Sequence, residues 1–237
     1  MDIQEEALDP QRKESRARYL GLKREEKVIR FYATDRPYGA FSNFAKLPFE
    51  LGGKIWPTSE HYFQAMKFYG TPHEEELRLT PTAMQAAKRG RERSRPLRSD
   101  WEESKVGVML EALLAKVEQH PAVRELLLST GDCLLVEHTG NDAFWGDNGD
   151  GTGQNMLGRL LMQVRGEQAG YRAEFFLPPW IVFPGQHPFS IFWRMGDGEG
   201  YLMELGKWHD TLNPEAELEY RRYFVPPEEW ADYYPQE

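Results

Sequence analysis

The sequence predicts an α+β fold: a helix-rich single domain with a small β-sheet, plus an aromatic-rich C-terminal extension. Three observations carry that reading. Over WEESKVGVMLEALLAKVEQH, apolar residues fall at 106, 109, 110, 113, 114 and 117, which is helical spacing. The β-type runs, by contrast, are few and short. From about residue 171 the texture changes, with sixteen aromatic residues in the last 67 and frequent prolines. The chain divides accordingly into a charged arm over 1–26, a main domain over 27–168 and the extension over 169–237.

Taken in order, VIRFYAT reads as a short strand rich in β-branched and aromatic residues. RPYGAFSNFAKLPFELGGKIWP is broken by proline and glycine, and a tight turn at Gly52-Gly53 joins two short strands around 46–50 and 54–56. Pro57, Thr58 and Ser59 form a helix start ahead of EHYFQAMKFY. PTAMQAAKRG is a short helix closed by Gly90, and Asp100 is the expected N-cap of the long helix that His120-Pro121 ends. AVRELLLST follows as a shorter helix, and CLLVEHT as a buried strand after a Gly-Asp turn. The loop WGDNGDGTGQN leads into the amphipathic helix MLGRLLMQVRG. PFSIFWRM-GDGEG-YLMELGKW reads as a β-hairpin.

Composition narrows the function classes. No run of about 18 apolar residues exists, so no transmembrane helix is expected. MDIQEEALDPQRKESRARYLG lacks the apolar region of a secretory signal. A single cysteine, Cys133, allows no intrachain disulfide and no four-cysteine zinc site, and its apolar setting reads as core. All of this fits a reducing cytoplasm. A net charge of −9 argues against wrapping duplex nucleic acid. KRGRERSRPLR, residues 88–98, nevertheless concentrates six basic side chains against one acid. Most of these are expected to be solvated, with one or two arginines available to hold phosphate.

Two stretches carry chemistry. In WPTSEHYFQAMKFYG, residues Glu60, Gln64 and Lys67 recur at i, i+4 and i+7 and share one stripe, with Tyr62, Met66 and Tyr69 as the packing face. An exposed Glu-to-Lys stripe is the plainer reading. The aromatic flanks point instead to a covered helix, where burial raises a carboxyl pKa and lowers that of a lysine. A general acid beside a nucleophilic amine suits cleavage of a glycosidic bond. In NDAFWGDNGDGTGQNMLG, glycines would let backbone approach a ligand, and the next helix would offer N–H groups to an anion. An ordinary Asp/Gly turn is the alternative. P-loop, dinucleotide and EF-hand patterns all fail on residue positions. Asp142 beside Trp145 could form a base-and-sugar platform, and Trp101 could do likewise or simply anchor packing. His61 and His138 read as structural.

The strings FYATDRPYGAFSNFAKLPF, WPTSEHYFQAMKF, GRERSRPLRSDW and LLVEHTGNDAFWGDNGDGTGQNMLGRLLM together resemble the NADAR family, in family order, from about Val28 to Arg165. The resemblance implies an N-glycosidase with no metal or redox cofactor. Its expected substrates are small phosphorylated ribosyl compounds. One group is the ribosylamino-pyrimidine phosphates of riboflavin synthesis. The other is ADP-ribose on guanine, including guanine in nucleic acid. Family positions map onto Glu60, Trp101, Asp142 and Trp145. Lys67 matches the lysine that forms a Schiff base in ADP-ribose-cleaving members. On this reading Glu60 shuttles a proton, Lys67 traps C1′ as an imine, and Asp142 orients a hydroxyl or assists water. Alternatively, Glu60 and Asp142 act as acid and base with no covalent step. Trp101 and Trp145 would bound the base, and Asn43 and Gln64 would contact substrate. Gly151, Gly153 and Asn155, with Arg36 or Arg91, would hold phosphate. A non-catalytic nucleotide-binding module is the rival reading.

Overall fold

The computed structural model describes residues 28–131, 133–169, 176–183, 185–224 and 226–234. The arm expected over 1–26 lies outside them. The β component is two two-stranded sheets. β1 (Val28–Phe31) pairs in parallel with β4 (Leu134–Glu137), Phe31 standing opposite Glu137. A parallel pair needs a crossover connection, and here the crossover is most of the domain. β2 (Phe49–Leu51) and β3 (Lys54–Trp56) form an antiparallel hairpin. Its Gly52 and Gly53 have φ of 61° and 72°, the positive values a two-residue type I′ loop requires.

Helix α1 (Ser59–Met66) begins where Thr58, in extended conformation, accepts a hydrogen bond from the His61 N–H. It packs against α2 (Pro72–Arg78), α3 (Ala83–Gly90) and α4 (Trp101–Gln119). The sequence reading passes over α2, although Pro72 at its first turn, Glu74 and Glu75 behind it and Arg78 in the last turn suit the helix dipole. Asp100 stands at the start of α4 without capping it. Its carboxylate instead accepts two hydrogen bonds from Arg98, at 2.6 and 2.5 Å. α5 (Pro121–Ser129) turns back, and α6 (Met156–Ala169) lies across β4, α4 and α5.

One buried core runs from Phe31 through Phe41, Trp56, Leu113 and Leu161 into the C-terminal extension, where Trp180, Trp193, Trp208 and Trp230 join it. There the expected β-hairpin is replaced by helices. Ile191–Arg194 forms a 3-10 turn, and α8 spans Asp197–His209, after the short α7 (Pro179–Val182). The segment read as a hairpin turn is a helix start: Gly196 has φ of 69°, and Asp197 and Glu199 occupy the first turn. Tyr201, Leu205 and Trp208 then recur at helical spacing and turn inward. Helix α9 (Pro214–Tyr223) follows. Two smaller expectations also shift. Tyr69, assigned to the packing face of α1, is 65% exposed because it lies beyond the helix end, and Cys133 is only half-buried.

Candidate active site

The stripe on α1 is covered. Glu60, Gln64 and Lys67 are all buried, at 6%, 4% and 8% exposure. The segment leading to Asn43 covers the helix start, where the Glu60 N–H donates to the Asn43 carbonyl at 3.0 Å. Asn43 is itself buried, and its side-chain oxygen has no hydrogen-bond partner among the described residues. Gln64 donates to Glu60 Oε1 at 2.7 Å, while its own amide oxygen is also buried without a partner. Gly90 at the end of α3 makes room for that amide, since a Cβ there would stand 2.0 Å from Gln64 Oε1.

Lys67 sits at the end of the same stripe. Its ammonium lies 5.4 Å from the Phe63 ring centre and 5.6 Å from that of Trp101. Its one hydrogen bond among the described residues is long, 3.4 Å to the Gly90 carbonyl. The Trp101 and Trp145 rings both contact Phe63, at 5.0 and 5.2 Å, so three aromatic rings wall the cluster.

Burial dominates the electrostatics. Desolvation pushes the Glu60 carboxyl up to about 7, against the opposing pull of Gln64, Lys67 and Arg91, with Asp142 pushing the same way as burial. Desolvation also lowers Lys67 to about 8. The Glu60 charge opposes that fall, and Arg93 and Arg91 reinforce it. Near neutral pH the pair can therefore exchange a proton, and a neutral amine is accessible to attack an electrophilic carbon. Arg91 is exposed, yet its charge acts on both groups, so the basic run does reach the site.

The glycine-rich loop is organised differently. One oxygen of Asp142 accepts the Phe144 and Trp145 N–H groups, at 2.9 and 2.8 Å, and this sets the Trp145 backbone. Asp147 accepts from the Thr139 and Gly149 N–H groups and pairs with His138 at 2.8 Å. The N–H groups of Gly151 and Gly153 donate to the Asp147 carbonyl. Those of Gln154, Asn155, Met156 and Leu157 donate to the carbonyls of 143, 146, 144 and 145. The start of α6 therefore does not present the open row of donors expected for an anion. Asn155 itself bridges strand β4, accepting from the Glu137 N–H at 2.9 Å and donating to the Leu135 carbonyl at 2.8 Å. Arg36 is exposed in the turn after β1, and nothing ties it to Glu60 or Lys67 among the described contacts. Glu60, Gln64, Lys67, Asn43, Trp101, Trp145, Asp142 and Arg91 thus share one locality, whereas Gly151, Gly153 and Asn155 are occupied in holding the loop.

Two charged groups escaped the sequence reading. Glu137 ends β4, and burial with the nearby Asp142, Glu60 and Asp147 charges pushes its carboxyl up to about 8. Lys116, fully buried in mid-α4, donates to the Ala40 and Ser42 carbonyls at 3.1 and 3.4 Å and so anchors the segment carrying Asn43. A glutamate closing an apolar strand was a readable signal. The lysine gave none, because its partners lie more than 70 residues away.

The NADAR domain family model matches residues 30–168, well over half of the chain. N-glycosidase YbiA of Escherichia coli is 54% identical over 145 residues, covering 61% of this chain and 91% of that protein. A riboflavin biosynthesis protein of Vibrio vulnificus is 42% identical over 142 residues, 60% of this chain and 39% of that one. The NMR structure of Escherichia coli YbiA superposes with a TM-score of 0.58 at 53% identity, covering 62% of this chain and 87% of that one. The four sequence blocks, the domain match and the shared fold lead to one placement: the chain belongs to the NADAR family.

Proposed function

We propose that the protein is an N-glycosidase that hydrolyses the C1′–N bond of a phosphorylated ribosyl N-glycoside. The observation that carries this reading is the buried Glu60–Gln64–Lys67 stripe. A carboxyl at about 7 and an amine at about 8 stand on one helix face, walled by Phe63, Trp101 and Trp145. A site that only bound nucleotide would have no need of a desolvated acid and amine together. The names of the YbiA and Vibrio relatives support the reaction class and, for the latter, a place in riboflavin synthesis.

In the proposed sequence Lys67, as the neutral amine, attacks C1′. The C1′–N bond breaks and its electron pair leaves with the base, which takes up a proton. Glu60 carries the proton lost by Lys67 to the ring oxygen as C1′–O4′ opens to the imine. Water then hydrolyses the imine and releases the sugar phosphate. The rings of Trp101 and Trp145 exclude bulk water and bound the base. Phosphate falls to Arg91 and its neighbours, because the loop N–H groups are already engaged. The smaller substrate, a ribosylamino-pyrimidine phosphate, is favoured over ADP-ribosyl-guanine by the relatives' names.

A side-by-side turnover assay on a ribosylamino-pyrimidine phosphate, ADP-ribosylated guanosine and ADP-ribosylated DNA tests the reading. Release of free base from the first is the expected result, and release from none overturns the assignment. Borohydride added during turnover should give an adduct on Lys67. A variant that turns over normally without Lys67 would leave the two-carboxylate route instead.

A further inference from the structure

We propose that Glu137 is a catalytic residue of this site, the acid that protonates the departing base, while Asp142 serves to hold the loop. The proposal deepens the N-glycosidase reading and rests on it. It starts from how the two carboxylates are used. One oxygen of Asp142 already takes two backbone N–H groups, which fixes it as the organiser of the Trp145 turn. The Glu137 carboxyl has no hydrogen bond to protein among the described residues and is half-buried. Its backbone is held on every side. The N–H donates to Asn155, the carbonyl accepts from Asp147, and the following His138 N–H donates to Phe31 across the sheet. A rigid main chain carrying an uncommitted carboxyl is the arrangement a proton donor needs.

The surrounding charges agree. Facing Glu137 are Glu60 from α1, Asp142 and Asp147 from the loop, and Lys116 from α4. Burial first, then the Asp142, Glu60 and Asp147 charges, raise the Glu137 carboxyl to about 8, and Lys116 opposes them. Glu60 faces Lys67 and handles the amine; Glu137 completes the other half of the reaction. As the C1′–N bond breaks, its electron pair goes to the base nitrogen and the Glu137 proton follows. The resulting carboxylate takes a proton back from the water that later attacks C1′, so the cycle closes with one water consumed.

The test compares two leaving groups in the unaltered protein and in its Glu137→Gln and Glu137→Asp variants. A ribosylamino-pyrimidine phosphate leaves as an amine and needs the proton. A 4-nitrophenyl riboside 5-phosphate leaves as a stable phenolate and does not. Glu137→Gln should lose at least about 100-fold in kcat on the first and only a few-fold on the second. Glu137→Asp should recover part of the loss. Equal losses on both substrates, or none on the first, would overturn the role. The protonated carboxyl is read independently, as an infrared band present at pH 6, fading by pH 9 and missing in Glu137→Gln. If the unaltered protein turns over neither these compounds nor ADP-ribosylated guanosine or DNA, the N-glycosidase reading fails on its own account. The infrared band then judges Glu137, and a spectrum unchanged by Glu137→Gln removes it.

Discussion

The α1 stripe and the 146–155 loop look equally functional as sequence, but their hydrogen bonds set them apart. In the loop, most polar groups are spent on the loop itself or on the neighbouring strand β4, the buried Gln154 amide oxygen excepted. Asp147 takes two N–H groups and His138, Asn155 ties down both sides of a strand residue, and the N–H groups of 154–157 meet the carbonyls of 143–146. Around α1 the polar groups are just as buried, yet among the described residues the amide oxygens of Gln64 on the helix and of Asn43 on the segment covering it have no partner, and Lys67 makes one long contact. Burying polar groups without satisfying them costs stability. Proteins retain such groups where a ligand completes them, whereas a loop whose backbone N–H groups are mostly bonded within the protein needs no ligand to explain them. Residue type therefore does not distinguish the two regions, whereas the count of unmet donors and acceptors does.

The sharpest way to break this comparison is at Lys67. Lys67→Met keeps most of the side-chain volume and removes the amine, so it should cost about 1,000-fold or more in kcat. Its melting temperature should hold or rise, because a desolvated charge leaves the core. A variant with appreciable turnover would return Lys67 to an ordinary packing role.

Next in size is a pH effect on stability at Glu60. Its folded carboxyl, at about 7, binds a proton more tightly than the ordinary value of 4.5. The stabilisation from that proton is complete below about 4.5 and is lost as pH rises through 7. Glu60→Gln cannot lose it. Denaturant melts should therefore show the variant gaining on the unaltered protein between pH 5 and pH 8 by on the order of 3 kcal/mol. Parallel stability curves would mean that Glu60 is not desolvated as described.

Much of the scaffold was legible because its causes are local. The Thr58 cap, the Gly52-Gly53 turn and the periodicity of α4 are set by neighbours a few residues apart. The stripe of Glu60, Gln64 and Lys67 was legible too, as geometry. Its burial was not, because the cover comes from Asn43, Trp101 and Trp145 on three distant segments. The same limit explains the misread 191–209 segment. Its aromatic residues around a Gly-Asp-Gly turn favour a hairpin locally, but a helix lets Leu205 and Trp208 reach one core. Glu137 and Lys116 were missed because their significance lies in one another's neighbours and not in any motif.

Within the loop the comparison predicts losses of stability without losses of chemistry. Asn155→Ala removes two backbone contacts and places alanine at a φ of 50°, which asparagine tolerates better. It should cost roughly 2–3 kcal/mol in unfolding free energy. If Asn155 is scaffold, KM for a phosphorylated substrate measured well below the melting temperature should stay within a few-fold of normal. A large rise in KM with kcat preserved would restore it as a phosphate ligand.

The smallest effect, at Gly151, is also the cleanest separation of loop from site. Gly151 has φ of 85° and open space where a side chain would go, so Gly151→Ala meets a backbone penalty and no clash. That penalty is about 1 kcal/mol. Its N–H still donates to the Asp147 carbonyl after substitution, so the loop keeps its internal bonding. Were this glycine present to let a phosphate approach the backbone, an added methyl group would obstruct the ligand and raise KM well beyond what a small loss of stability explains. As part of a self-satisfied turn it should lower the melting temperature by a few degrees and leave kcat and KM where they were. Steady-state kinetics and a thermal melt on the same preparation decide between the two, because each role moves a different observable.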